Sequence, residues 1–260
     1  MRLYGSFGSP FTRRVATTLL IYKLKYEHLI LRSNVPEELE QLKKFNPLAR
    51  IPALETDDGM TLVDSVTILD YLDQQVEPDK ALVPLTGMVR TQMLSLIGIA
   101  AGAVEKSVAC YYEEGINAKR PADKVHRPWV DRMYEQTKDG LEAIEQLVNG
   151  PWIMGDHITQ VDVSVVCFWD FIVKHRPDSA PQLVCPKLEI ISKDLLPEYL
   201  FLKVQALLIS MDSVLGDIWR IIMTDIQGMI SKAGNLVFVV SSFVMALIFI
   251  LVFLIFLLLD

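Results

Sequence analysis

Residues 46–65 run Asn46-Pro47-Leu48-Ala49-Arg50-Ile51-Pro52-Ala53-Leu54-Glu55-Thr56-Asp57-Asp58-Gly59-Met60-Thr61-Leu62-Val63-Asp64-Ser65, and their reading decides the fold. Asn46-Pro47-Leu48 ends a polar helix expected over 37–45, because the residue before a proline is pushed out of the helical region. Two short apolar strands, 52–55 and 60–63, flank Asp57-Asp58-Gly59, a hairpin signal. Asp64-Ser65 then caps a helix running through Ile68, Leu69 and Leu72. Towards the N-terminus, Arg2-Leu3-Tyr4 is a strand that enters the turn residues Gly5-Ser6-Phe7-Gly8-Ser9-Pro10. Val15, Leu19 and Tyr22 recur at helical spacing, and 28–31 forms a second strand. Residues 1–75 therefore spell β-α-β-α-β-β-α, a small mixed sheet with helices on its faces.

Towards the C-terminus, the Pro- and acid-containing stretch 76–87 (VEPDKALVPLTG) is a linker, and the spacing beyond it is helical throughout. Long helices are predicted over 88–115 and 129–148, the second opened by Pro128 at a first-turn position. Thr159-Gln160-Val161-Asp162 precedes an apolar run and has the capping-box form with Asp in place of Glu. Residues 88–192 are predicted to be an all-helical domain.

The chain of 260 residues carries a net charge of -7, which argues against a nucleic-acid partner because no basic surplus exists to release counterions. Cys110, Cys167 and Cys185 show no C-x-x-C pairing, which reads as three small buried hydrophobes in a reducing compartment rather than a disulfide framework or zinc site. Arg13 and Arg14 interrupt the opening before a signal-peptide core can form. His28, His126, His157 and His175 show no ligand spacing and read as surface or packing residues, and no metal is expected.

The mean hydropathy of +0.31 is concentrated at the end of the chain. In 198–231 an apolar stripe including Val204, Leu207, Met211, Val214 and Ile218 recurs at helical spacing, with Asp212, Asp217 and Arg220 off it. This amphipathic segment suits packing on the domain or lying on a membrane surface. Residues 236–259 follow with Ser241 and Ser242 as their polar members. As a helix they would measure about 36 Å, against a hydrocarbon core of about 30 Å. A transmembrane helix over 235–259, acting as a tail anchor, is the expectation; Lys232 and Asp260 favour a cytoplasmic placement of the preceding domains. A fused or frameshifted reading frame beyond about residue 192 is the alternative origin of this tail.

Ser9-Pro10-Phe11-Thr12-Arg13-Arg14, the run 46–54, Asp64-Ser65 and Thr159-x-x-Asp162 together, in this order, resemble bacterial cytosolic-type glutathione S-transferases with a serine-type active site, over about 190 residues. The resemblance implies a thioredoxin-like α/β N-terminal domain and an all-α C-terminal domain, to which this chain appends the transmembrane helix expected from its hydropathy. It implies glutathione as co-substrate, with Ser65 on the γ-glutamyl carboxylate and Asp64 near the amine. Ile51-Pro52 matches the family's cis-proline position, where the backbone pairs with the cysteinyl part, and Arg50 stands where it could meet the glycyl carboxylate. An anion at the helix start marked by Asp64-Ser65 is also sensible without the family, since N–H groups and the dipole favour it.

Ser9 is the candidate catalytic residue, its hydroxyl donating to the bound thiolate. Lowering a thiol pKa by two units takes about 2.7 kcal/mol, and one hydrogen bond to a charged group supplies about 1.5–3 kcal/mol. Tyr4 lies inside a strand and reads as packing, and a serine at position 9 removes the nucleophile that disulfide reduction needs. Trp129, Trp152 and Trp169 read as core residues, with a place in a substrate pocket as the other option. The leading function implied is conjugation of reduced glutathione to small hydrophobic electrophiles, a detoxification chemistry, by a homodimer. A non-catalytic, membrane-tethered adaptor or membrane-shaping protein is the alternative. A pore built from the tails is disfavoured, because 236–259 holds no ionisable residue to line one.

Overall fold

Strand β1 (Arg2–Tyr4) holds the middle of a four-stranded sheet because it finds partners on both edges. It pairs in parallel with β2 (Glu27–Leu29) and antiparallel with β3 (Ala53–Glu55), which in turn carries β4 (Thr61–Val63) antiparallel. The strand order is β2-β1-β3-β4, the arrangement expected of a thioredoxin-like domain. Neighbouring residues of β1 face opposite ways, as the pleat requires. Leu3 packs with Leu54, Val15, Leu19, Ile68 and Leu72 under α1 (Pro10–Ile21) and α3 (Ser65–Asp73). Tyr4 packs with Ala53, Leu31, Leu42 and Ala49 on the side of α2 (Pro36–Leu42).

The computed structural model describes residues 1–114, 120–177 and 179–193. All of them belong to one compact unit. The predicted amphipathic segment 198–231 and transmembrane segment 235–259 lie outside the described residues.

The helical half comprises α4 (Met88–Glu114), α5 (Arg127–Leu147), α6 (Gln160–His175) and α7 (Pro186–Lys193). A single 3-10 turn, Ala122–Lys124, precedes α5 and has no counterpart in the sequence reading. Among the described residues, α4 is the helix long and apolar enough to cross a membrane. Its composition has a second use here: Met93, Ile97, Ala100 and Val104 pack with Leu141 and Ile144 of α5 and with Val165 and Phe168 of α6. Cys110, Cys167 and Cys185 are buried and unbridged, with thiol pKa values pushed up to about 12 by burial, as three inert core residues should be.

Helix α6 is buried over most of its length, so its first-turn N–H groups cannot reach water and must be capped from within. Thr159 supplies the cap: its Oγ1 accepts from the Val161 N–H at 3.2 Å. Asp162 closes the box by accepting the Thr159 N–H and hydroxyl, each at 2.8 Å, and takes the Ile153 N–H at 2.7 Å. Burial raises the Asp162 carboxyl pKa and these hydrogen bonds oppose the rise. Removing them in Asp162→Ala strands buried donors and is expected to cost about 3–4 kcal/mol, read by urea unfolding of the full chain.

A second buried carboxylate ties the linker to the sheet domain. Asp73, 2 % exposed at the end of α3, accepts from the Tyr22 hydroxyl at the end of α1. That hydroxyl in turn accepts the Leu82 N–H at 2.6 Å. Burial pushes the Asp73 pKa up to about 6. The folded state therefore holds this proton more tightly than the unfolded chain, where an aspartate titrates near about 3.9. Stability from this group is present below pH ~4 and is lost as pH rises through about 6. Unfolding free energies measured against pH should show that decline, and Asp73→Asn, which keeps an acceptor oxygen, should remove it.

Candidate functional site

The site is assembled by three loops that meet at the end of the sheet. The first is 5–9, between β1 and α1. Gly5 turns with φ 146°, and a Cβ there would stand 2.7 Å from Thr12 Oγ1, so a side chain cannot be accommodated. His28 fixes the turn through its Nε2, 2.7 Å from the Gly5 carbonyl, while its ring stacks on Phe7. Burial lowers the His28 pKa and the hydrogen bond to the Gly5 carbonyl opposes that shift. Ser9 is thereby set as the N-cap of α1, with Oγ accepting the Thr12 N–H at a long 3.4 Å. No acceptor among the described residues takes its O–H.

The second loop is 46–52. Asn46 is 4 % exposed and organises it, its Nδ2 donating to the Arg50 carbonyl and its Oδ1 accepting the Leu48 N–H, both at 3.0 Å. The chain then passes through a cis peptide bond between Ile51 and Pro52, as the family's pattern implies. Arg50 is exposed and reaches Glu105 of α4 at 3.7 Å. Such an open pair contributes little, so the guanidinium remains available to another carboxylate.

The third loop delivers Asp64 and Ser65 to the start of α3. Asp64 adopts φ 69° and caps the helix by accepting the Val66 N–H at 2.9 Å. A non-glycine residue in this region costs about 1–3 kcal/mol, and such strain gathers at ligand clamps. Ser65 is 2 % exposed.

The six predicted site residues line two neighbouring recesses that share part of their walls. Asn46, Pro52, Val63, Asp64 and Ser65 line a small one of about 70 Å³. Ser9, Arg32, Tyr111, Phe171, Lys174 and His175 line a larger one of about 800 Å³. Phe11, Arg50 and Ile51 belong to both. Ser9 thus lines a recess that shares Phe11, Arg50 and Ile51 with the neighbouring one lined by Asp64 and Ser65.

The far wall of the larger cavity comes from α4 and α6. Val108, Tyr111 and Tyr112 lie on one, and Phe171, Lys174 and His175 on the other. Tyr111 and Phe171 meet edge to face at 5.8 Å, and the His175 ring lies 4.8 Å from Tyr111 and 4.6 Å from Phe171. Burial lowers the His175 pKa, with Lys174 and Arg13 acting in the same direction. This histidine is a cavity residue as well as a packing one, which spacing alone did not reveal. Trp152 and Trp169 pack in or against the helical core and line neither recess, nor does Trp129. Tyr4 packs as read: its hydroxyl donates to Glu55 at 2.7 Å and its ring stacks on Phe45.

Sequence reasoning also passed over Arg14. Its side chain is fully buried on α1, where Nε and Nη2 both donate to Ser65 Oγ, at 3.1 and 2.5 Å. Nη1 reaches Ser164 Oγ at 3.4 Å. The guanidinium lies 5.1 Å from the Phe168 ring and 5.7 Å from that of Phe11. Its signal was an arginine at an otherwise buried helical position, one residue from Val15.

Comparisons with known proteins show what the chain resembles. Residues 3–80 match the family described as "Glutathione S-transferase, N-terminal domain". A maleylacetoacetate isomerase of Mus musculus is 24 % identical over 197 residues, covering 75 % of this chain and 87 % of that protein. A glutathione transferase family member from Pseudomonas fluorescens Pf-5, solved with bound glutathione, is 29 % identical with a TM-score of 0.64. The match covers 76 % of this chain and 96 % of that one. A glutathione S-transferase from Methylobacillus flagellatus KT, also with glutathione bound, has a TM-score of 0.67 at 22 % identity, over 76 % of this chain and 96 % of that one. The match to the glutathione S-transferase N-terminal family falls on the sheet domain, and the described residues have the two-part fold of the solved bacterial glutathione transferases.

Proposed function

We propose that the protein is a glutathione-dependent transferase or isomerase, with glutathione held in the small recess and an electrophile in the larger cavity. The observation that carries this reading is that the two recesses are neighbours sharing Phe11, Arg50 and Ile51 as walls, with Ser9 lining the larger one. Asp64 and Ser65 would take the γ-glutamyl end, Ile51 and Pro52 the cysteinyl backbone, and Arg50 the glycyl carboxylate. The reacting sulfur would then lie near Ser9, whose O–H is uncommitted. The solved relatives with bound glutathione and the isomerase name of the mouse relative support glutathione chemistry of one of these two kinds.

In either reaction the thiolate adds to an electrophilic carbon. Transfer ends with departure of a leaving group or protonation of the adduct; isomerisation ends with rotation in the adduct and expulsion of the same thiolate. The aromatic wall of Tyr111, Phe171 and His175 suits a planar, largely apolar electrophile. Exposed Met88 and Ile99, with Gln92 and Ser95 between them at helical spacing, leave one side of α4 open, which fits the homodimer that the family resemblance implies. The apolar run 236–259 would tether this domain to a membrane and is the feature that favours the adaptor reading.

Ser9→Ala separates enzyme from adaptor. With full chain in detergent, the variant should bind glutathione within about twofold of the parent, because the thiol contributes little to ground-state affinity. Its turnover of an aromatic electrophile should fall about 10–100-fold, and the ultraviolet thiolate signal of bound glutathione should shift to higher pH. A parent chain that folds but fails to bind glutathione in calorimetry would leave the adaptor reading in place.

A further inference from the structure

Arg14 presents an unusual electrostatic situation. It is 1 % exposed, and among the described residues no carboxylate is ion-paired with it. Its hydrogen-bond partners are two neutral hydroxyls, Ser65 Oγ and Ser164 Oγ. The carboxylates that act on it at longer range are those of Asp64 and Glu105, both on exposed residues. Burial lowers its pKa to about 10, the signature of a cation that has lost water without gaining a counter-ion. A charge in that state is costly unless something completes its pairing.

The geometry at Ser65 indicates what would complete it. Two Arg14 N–H groups converge on Ser65 Oγ from one side, an approach the hydroxyl's own proton cannot share. The hydroxyl proton must therefore point away from Arg14, and no acceptor among the described residues takes it. Ser65 lines the small recess at the start of α3, beside the Asp64 cap. A buried cation, a hydroxyl forced to donate outward and a helix N-terminus then converge on one spot.

We propose that Arg14 is a positioning residue for the anionic end of the bound peptide: through Ser65 it acts as the buried counter-charge of the ligand's α-carboxylate. This rests on the reading that glutathione occupies the recess. Arg14 makes no contact with the ligand; it orients the Ser65 hydroxyl and supplies the positive potential behind it. The apo protein holds an unpaired charge, and ligand binding relieves it. Discrimination follows, because a peptide lacking that carboxylate leaves the guanidinium as it was.

The test pairs one substitution with two ligands. Arg14→Met keeps an apolar stem between Phe11 and Phe168 and removes the charge. Full chain and variant are titrated by calorimetry with glutathione and with 4-aminobutyryl-cysteinylglycine, which lacks only the α-carboxylate. The expected result is a rise in the glutathione Kd of roughly tenfold or more, with the analogue's Kd changed by no more than about twofold. The apo melting temperature should stay level or rise, since replacing a buried unpaired charge by an apolar side chain is often neutral or stabilising. Equal losses for both ligands, or none for either, would overturn the proposal. If Arg14→Met does not fold, Arg14→Lys decides on the same ratio, retaining the charge but not the fork, with a smaller loss again confined to glutathione. A folded parent that binds neither ligand removes the glutathione reading itself, an outcome distinct from one in which the parent binds and the variant shows no carboxylate-dependent loss.

Discussion

The structure depends on the burial of α6. This helix touches both halves of the chain, packing on α4 and α7 within the helical half and on α1 of the sheet domain. A helix in that position has no water for its first-turn amides, so its start must be satisfied by the protein itself. Thr159 and Asp162 do this at one end of the α1–α6 contact. Along it, Thr18 donates to Gln160 at 2.8 Å, Phe11 meets Phe168 at 5.3 Å, and Arg13 pairs with Asp170. The cap fixes where α6 begins; the polar contacts fix how α1 registers on it. Because α1 starts at Ser9 and α6 ends near His175, the same contact sets the depth of the cavity between them.

This explains which parts of the molecule were legible in its sequence. The β-α-β-α-β-β-α order could be read because each element carries a local signal. Gly5 and Pro10 mark a turn and a helix start, Asp57-Asp58-Gly59 a hairpin, and Asp64-Ser65 a cap. Boundaries moved where pairing overrode propensity. The second strand is Glu27–Leu29 rather than 28–31, because the Glu27 N–H pairs with the Met1 carbonyl and the Gly5 N–H with the Leu29 carbonyl. Helix α2 stops at Leu42, where Lys43 to Asn46 turn back in short bonds that place Asn46 beneath the 46–50 loop.

The site was legible on one side only. Its first-domain residues are set by backbone geometry, and backbone geometry leaves marks: a proline, a cap, a tight turn. Its second-domain residues sit on regular helices, where Val108, Tyr111 and Tyr112 or Phe171, Lys174 and His175 obey the same spacing as any core stripe. Nothing in that spacing tells a cavity wall from a packed seam. His175 therefore read as packing, and the tryptophans competed for a place they do not occupy. Arg14 was hidden for a related reason: beside Arg13 in a helix start it looks like one of a solvated pair. Only the fold shows that one of the two arginines meets Asp170 while the other faces hydroxyls.

The pairing of Arg13, and the absence of an ion-paired carboxylate at Arg14 among the described residues, bear on how such a fold can keep a ligand site open. A buried ion pair would be self-sufficient, with no electrostatic reason to attract an anion. An apolar residue at position 14 would pack well between Phe11 and Phe168 but would leave Ser65 free to donate inward or outward. The arrangement present keeps a positive potential beneath a recess of about 70 Å³, met there by the Ser65 hydroxyl and the more distant Asp64 carboxylate rather than by an ion pair. Such a charge is tolerable because two aromatic faces and two hydroxyls surround it, each taking a part of the solvation that water would have given. The fold thus carries its unsatisfied electrostatics at the place where the peptide's own carboxylate would arrive, and the α1–α6 contact that orders the core also holds that charge in position.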